Sequence, residues 1–407
     1  MAFAFGLCVC WGMGANNVAN AMGTSVGSGA ITLRRALLLA AIMEFAGAYL
    51  AGGEVADTIS REILVGKLFE PAPHLLLFGM IAALLAAGIW LTIASMCGWP
   101  VSATQSIVGA ICGAGVAALG IGAVNWEMMA EIVVGWLIFP VLGGIVALAL
   151  TLSIRKLIFN TENPIRQARR WGPLYAFLVG WIVALVTITA GLKHVNINLG
   201  GIEGQFLSLA IGVVLAIIAK VLMRRIHLEE SEDRIFHFAS VEKLFGPLMV
   251  FTGAAMAFAH GSNDVANGIG PMATAIQIIE TQAVSSRSAV TPFMLLLGGM
   301  GIVVGVATYG YKVMATIGNK ITQLTPTRGY AATVAASIVV VAASGIGMPV
   351  STTQIAVGAV IGVGIARGIG ALDLRVIAGI FLSWLITVPI AAILAAMIFH
   401  ILRAVFG

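Results

Sequence analysis

Gly14-Ala15-Asn16-Asn17-Val18-Ala19-Asn20 returns as Gly261-Ser262-Asn263-Asp264-Val265-Ala266-Asn267. A second pair follows later in each half: Gly98-Trp99-Pro100-Val101-Ser102-Ala103-Thr104-Gln105 matches Gly347-Met348-Pro349-Val350-Ser351-Thr352-Thr353-Gln354. Two unlike polar motifs in the same order, about 250 residues apart, mark an internal duplication. The chain around them is too apolar for a water-soluble domain. Of its 407 residues, 60% are hydrophobic and 10% charged, with a mean hydropathy of +1.03, against about 25% charged in soluble domains. The apolar runs are long and continuous, so the spans are α-helices and not the alternating ten-residue strands of a barrel. The basic residues sit in short loops between apolar runs, so the net charge of +5 is a feature of membrane topology, and no nucleic-acid partner is expected.

Apolar spans are predicted at about 1–14, 35–53, 75–96, 129–154, 173–193, 204–223, 244–260, 291–314, 329–346 and 373–402. Between them lie Gly/Ser/Thr-rich segments at 15–32 and 261–279, and at 98–122 and 347–370. These are expected to be broken helices or re-entrant hairpins, because irregular backbone at membrane depth survives only when buried in protein or lining a cavity. A weaker third correspondence relates Gly47–Gly52 to Gly305–Gly310, and Trp136 with Pro140 to Trp384 with Pro389. The expected organisation is a first repeat over 1–154, cytoplasmic loops with two linking helices over 155–243, and a second repeat over 244–407. The whole is an all-α integral membrane protein with about 10–12 membrane segments.

The first motif begins 13 residues after Met1, whereas its twin follows a longer apolar run from Leu244 to Ala259. The N-terminal helix is therefore expected to be short by part of its length. No cleavable signal peptide is evident. Cys8, Cys10, Cys97 and Cys112 lie in apolar runs and read as packing residues, since Cys8-x-Cys10 lacks the other ligands of a zinc site.

Loop charge orients the chain. Arg155, Lys156, Arg166, Arg169 and Arg170 face one acid, Glu162, in the first long loop. Lys220, Arg224, Arg225, Arg234 and Lys243 mark the second. Both loops read as cytoplasmic, since acids count little in the positive-inside rule. The first repeat then ends entering the cytoplasm and the second begins by leaving it, as inverted repeats require. Both termini are expected outside, and the membrane is expected to be the plasma membrane, in bacteria the cytoplasmic one.

Ionisable groups inside spans cost about 2.5–3.5 kcal/mol on insertion scales, so each is a functional candidate. Asp264 stands among Ser262, Asn263 and Asn267, a set of hard oxygen donors suited to sodium, with Asn16, Asn17 and Asn20 as the first-half counterpart. A structural hydrogen-bond knot is the plain alternative. Glu44 lies mid-span, and its repeat counterpart is about Ile302. It reads either as a coupling carboxylate or as a neutral group bonded between helices. Glu131 is near a span end, and His260 abuts the second motif where the first has Met13.

The paired Pro-Val-Ser-x-Thr-Gln stretches read as an anion site. Proline suits the first turn of a helix. Exposed backbone N–H groups there, with hydroxyls from Ser102, Thr104, Ser351, Thr352 and Thr353 and amides from Gln105 and Gln354, can cradle an oxyanion. Helix capping within a tight bundle is the alternative. The glycines Gly109, Gly113 and Gly115, with Gly358, Gly362 and Gly364, read as close-packing positions. No lysine or arginine falls in either motif pair. An inside-negative potential opposes anion uptake by about 2.3 kcal/mol per charge per 100 mV. Concentrative uptake therefore needs a cation moving with the anion, or an anion already neutralised by a metal.

These residues resemble the Pit-type inorganic phosphate permeases. The likeness rests on Gly14–Asn20 continuing through Gly29, on Gly261–Asn267 through Pro271, and on the two Pro-Val-Ser-x-Thr-Gln stretches, and it covers nearly the whole chain. It implies an inverted-repeat secondary transporter that takes up phosphate with sodium or protons, or as a metal–phosphate complex. It also implies a homodimer and a site between the repeats, and it links Glu44 to transport. One position departs: the family usually has Asp where this chain has Asn17, while Asp264 keeps the charge. One negative charge is thus missing from the pseudo-symmetric cation sites. A sulfate permease is the alternative of the same family. A passive channel would show rings of like residues, and an enzyme a nucleophile–base set; the sequence contains neither.

Overall fold

A computed structural model describes every residue except 28, 98–100, 190–198, 200, 227–233, 285–289, 312–324 and 369–371; the side chains of 95, 97, 234–237, 374 and 376 also lie outside the description. Thirteen α-helices are seen among the described residues. They are α1 (Ala2–Gly27), α2 (Leu33–Ala51), α3 (Gly53–Arg61), α4 (Pro73–Cys97), α5 (Ala103–Leu119), α6 (Trp126–Ile154) and α7 (Pro164–Thr189). Then come α8 (Ile202–Arg225), α9 (Arg234–Thr281), α10 (Pro292–Thr308), α11 (Pro326–Gly345), α12 (Thr352–Arg367) and α13 (Leu374–Phe406). Among the described residues eight helices are long and apolar enough to cross a membrane, and the pair α2 and α3, bent by 63° at Gly52, makes a ninth if the two count as one broken span. The chain is a multi-pass helical membrane protein.

Three apolar helices are shorter, α5, α10 and α12. The 17 residues of α5 reach about 25 Å, short of a hydrocarbon core about 30 Å thick. α5 and α12 each pack against the helix that precedes them, α4 and α11. The second polar motif pair sits at the two turns, so the expected break between helices holds there, each turn joining a helix long enough to span to a shorter one in a helical hairpin. Gly347, with φ of 74°, turns the chain at the second tip. The start of the first tip, Gly98-Trp99-Pro100, lies outside the described residues.

The expectation fails for the first motif pair. Residues 15–27 continue α1 without interruption, and 261–279 lie inside the 48-residue α9, with the polar residues on unbroken helix. A continuous helix satisfies the backbone inside the segment except at Pro271, which has no N–H to give the carbonyl of Asn267, and so it remains the cheapest arrangement in lipid. The polar side chains find partners on other helices, so nothing forces a break. The bend at Gly52, not foreseen, falls beside α9, where a Cβ on that glycine would run into the side chain of Val265.

Helix packing without water relies on close backbone approach and not on hydrophobic transfer. α1 and α9 run against each other, α1 also packs on α10, and α9 also packs on α2. At the crossings, a Cβ at Gly14 would strike the carbonyl oxygen of Ile302, and a Cβ at Gly261 would strike that of Glu44. The two contacts are exchanges of one another between the halves. The same holds further out, where α5 packs on α13 and α12 on α6. Gly113 there meets the backbone of Ala392, and Gly362 meets that of Gly144. α7 and α8 pair with each other at the side, joined to the rest mainly through α9 and α11.

Candidate functional site

The crossing of α1 and α9 gathers the candidate residues. His260, Asn263, Asp264 and Asn267 fall on α9 at spacings of three and four, so they share one side of the helix. All four are buried, as are Asn17 on α1 and Glu44 on α2. Asn17 donates from Nδ2 to Oδ2 of Asp264 at 2.8 Å. His260 Nε2 lies 2.9 Å from the same oxygen, one turn back along α9. Its Nδ1 lies 3.7 Å from Oε1 of Glu44. The imidazole therefore stands between two buried carboxylates, one from each half. Both ring nitrogens are off the hydrogen-bond line to them, so these are charge contacts in which proximity outweighs alignment.

Both hairpin tips reach this crossing. Ser102 and Ser351 are the N-caps of α5 and α12, accepting from the backbone N–H of Gln105 and of Gln354, both at 3.2 Å. Asn20 on α1 donates to Thr353 Oγ1 at 3.1 Å, and Asn267 on α9 donates to Thr104 Oγ1 at 3.3 Å. Each half thus holds the tip of the other. Thr104 also donates to the carbonyl of Val350 at 3.0 Å, which ties one tip directly to the other. Trp136 Nε1 donates to the carbonyl of Pro349 at 3.2 Å from behind the second tip. The first N–H groups of a helix have no intrahelical acceptor. Two buried helix N-termini therefore face one small region of the interior.

Several acceptors there are buried without a partner: Asp264 Oδ1, Asn263 Oδ1, Asn267 Oδ1, Gln105 Oε1, Gln354 Oε1 and both carboxylate oxygens of Glu44. Buried polar atoms are rarely left unpaired, and each one that is calls for a bound species or a water. Carboxylate and carboxamide oxygens are the ligand type of a hard cation. A half-turn of the Gln105 or Gln354 carboxamide presents two N–H donors in place of its oxygen, so the same side chains can meet an anion.

Not every expected residue joins. Asn16 is half-buried, and among the described residues its side chain has no hydrogen-bond partner. It stands one turn before Asn20, as Asn263 stands one turn before Asn267, so its place on the helix does not account for the difference. Glu131 is exposed on α6. The Ser102 and Ser351 hydroxyls serve as caps, as the plainer reading of that motif had it. Thr352 is buried beside Ser351.

Ser344, at the end of α11, was not singled out from the sequence. Its hydroxyl accepts from Asn263 Nδ2 at 3.2 Å and lies 3.4 Å from that of Ser262. The available signal was spacing, since Ser344 stands seven residues before Ser351 as Ser95 does before Ser102.

Comparison with known proteins agrees along the whole chain. The description of a phosphate transporter family matches residues 13–395. A Haemophilus influenzae protein provisionally named a phosphate permease is 46% identical over 404 residues, 99% of this chain and 96% of its own. The chloroplastic inorganic phosphate transporter 2-1 of Arabidopsis thaliana is 40% identical over 96% of this chain and 70% of its own. A solved structure described as the sodium-dependent phosphate transporter superposes with a TM-score of 0.92 at 37% identity, covering 100% of this chain and 98% of that one.

Proposed function

Because the chain belongs to the phosphate transporter family, we propose that it imports inorganic phosphate by cation symport, sodium being the favoured partner ion. The observation that carries this reading is the contact between Asn267 and Thr104 at 3.3 Å. It joins the oxygen-rich face of α9 to the N-terminus of a hairpin helix, so a cation site and an anion site share a wall. Each helix N-terminus offers roughly half a positive charge, too little by itself to balance hydrogen phosphate in an interior without lysine or arginine. A cation on Asp264, Asn263 and Asn267 cancels the carboxylate charge that would otherwise repel the anion. Phosphate then meets the N-termini of α5 and α12 through backbone N–H groups, with Thr104, Thr353, Gln105 and Gln354 around it. Ser102 and Ser351 hold the two helix starts in shape.

The mirrored contacts of Gly14 and Gly261 support a division into repeats over 1–154 and 244–407, inverted in the membrane. Alternating access would then move one hairpin away while the other stays closed on the crossing helices. Exposed Arg34 and Arg35 at the start of α2, with the basic residues after α6 and at the end of α8, support a cytoplasmic face there and termini outside. A homodimer in the cytoplasmic membrane is the assembly that fits the family.

Radiolabelled phosphate uptake into liposomes holding the purified protein tests the reading. Uptake driven by an imposed sodium gradient and unaffected by excess sulfate is expected. Uptake driven only by protons would reassign coupling to Glu44 and His260. Transport of sulfate in place of phosphate, or a requirement for a divalent metal, would overturn the substrate assignment.

A further inference from the structure

A cavity of about 790 Å³ lies between α2, α8, α9 and the first residue of α11, away from the crossing just described. Its body is apolar, lined by Leu39, Leu222, Val250, Phe251 and Ala254. Its polar end carries Glu242 and Lys243. Glu242 is already engaged, since its two oxygens accept from the backbone N–H and the hydroxyl of Thr327, both at 2.7 Å. That carboxylate caps the start of α11. Lys243 is exposed and has no ion pair among the described residues. The elements that form the cavity carry more positive charge: Arg34 and Arg35 in the first turn of α2, and Lys220 and Arg224 near the end of α8, flanking the lining residue Leu222, all exposed.

We propose that this cavity binds an anionic phospholipid of the basic, cytoplasm-facing leaflet. One acyl chain lies along the apolar wall, and the headgroup phosphate meets Lys243. Charge must carry the selectivity. Lipid tails are as apolar as leucine, so the wall distinguishes little between a bound chain and the surrounding bilayer. A lysine at the headgroup level distinguishes an anionic lipid from a zwitterionic one. Glu242 keeps its negative charge, but its oxygens are turned to the start of α11, where Arg328 is an electrostatic neighbour, so the headgroup phosphate is left to Lys243.

Native mass spectrometry of the purified full-length protein tests this, with phosphatidylglycerol and phosphatidylcholine of identical acyl chains as probes. The wild-type chain is expected to retain phosphatidylglycerol preferentially. Lys243→Gln should lower the phosphatidylglycerol-bound fraction about fivefold, as loss of one interfacial charge implies, and Lys243→Arg should restore it. Ala254→Phe, which fills the apolar end, should lower retention of both lipids. Added inorganic phosphate should displace neither, which separates a lipid headgroup from free phosphate as the ligand. Equal retention of the two lipids by the wild-type chain would overturn the proposal without any variant. Unchanged phosphatidylglycerol binding by Lys243→Gln would also overturn it. Loss of a dimer in Ala254→Phe with lipid binding intact would assign the cavity to a second copy of the chain instead.

Discussion

The two halves meet around α1 and α9 with matching backbones and unmatched chemistry. Where the second half has His260 and Asp264 on α9, the first has Met13 and Asn17 on α1. Where the first half has Glu44 against Gly261, the second has Ile302 against Gly14. The differences are not scattered. Among the described residues at the crossing, both carboxylates and the histidine fall in one corner, formed by α2 and α9, and the opposite corner, formed by α10 and α1, has neither. The duplication therefore supplies a two-fold scaffold, and side-chain substitution has concentrated charge on one side of it. Under the proposed symport, a symmetric pair of hairpins would serve the two faces of a membrane, while a single charged corner would limit how many cations move with each anion.

The comparison breaks most clearly if the charged corner proves dispensable. Asp264→Asn removes the carboxylate that holds both Asn17 and His260, and breaking a buried charged contact costs about 3–5 kcal/mol. Sodium-driven phosphate uptake in liposomes should fall more than about 100-fold, and retention of half the wild-type rate would refute a cation site there. Glu44→Gln, which keeps shape but takes away the second charge facing His260, should lower net uptake by about tenfold, the scale of one charged interaction at partial strength. The reciprocal control is Ile302→Val in the neutral corner, which should leave uptake within about twofold, since a lost methylene costs about 1 kcal/mol and touches no charge.

The hairpins sharpen the symmetric side of the comparison. Thr104→Val breaks the bonds to Asn267 and to the Val350 carbonyl, whereas Thr353→Val breaks the one to Asn20. At about 1 kcal/mol per bond, the KM for phosphate should rise about thirtyfold in the first and about fivefold in the second. Equal effects would mean that the tie between the tips contributes nothing. A modest gain, not a loss, is expected from Asn17→Asp. It sets a second carboxylate against Asp264, across the 2.8 Å now spanned by an amide. The pair is relieved by a cation held between them, so the apparent sodium KM should drop a few-fold, roughly 1 kcal/mol. A sodium titration superimposable on wild type would show that the neutral residue at 17 has no bearing on coupling.

How far the sequence reaches can be judged residue by residue. Helical class, membrane location and the duplicated motifs follow from composition and spacing, because lipid leaves few backbone choices and a repeat is visible wherever two motifs recur in order. The hairpins were legible for the same reason: Pro-Val-Ser at a helix start and a nearby glycine specify a break locally. The polar stretch around Asn17 was misread as broken, since local polarity cannot reveal whether distant helices will satisfy it. Asn17 binds a residue 247 positions away, and Asn267 one 163 positions away.

By itself, then, the sequence determined what kind of molecule this is and which short segments carry its polar chemistry, since both depend on residues near one another in the chain. Only the tertiary structure decided that α1 and α9 cross unbroken, that each half grips the other's hairpin, and that Glu44, His260 and Asp264 share one corner. Those facts depend on which helices pack face to face. That packing is governed by close backbone contacts at glycines such as Gly14 and Gly261, whose partners no local pattern names.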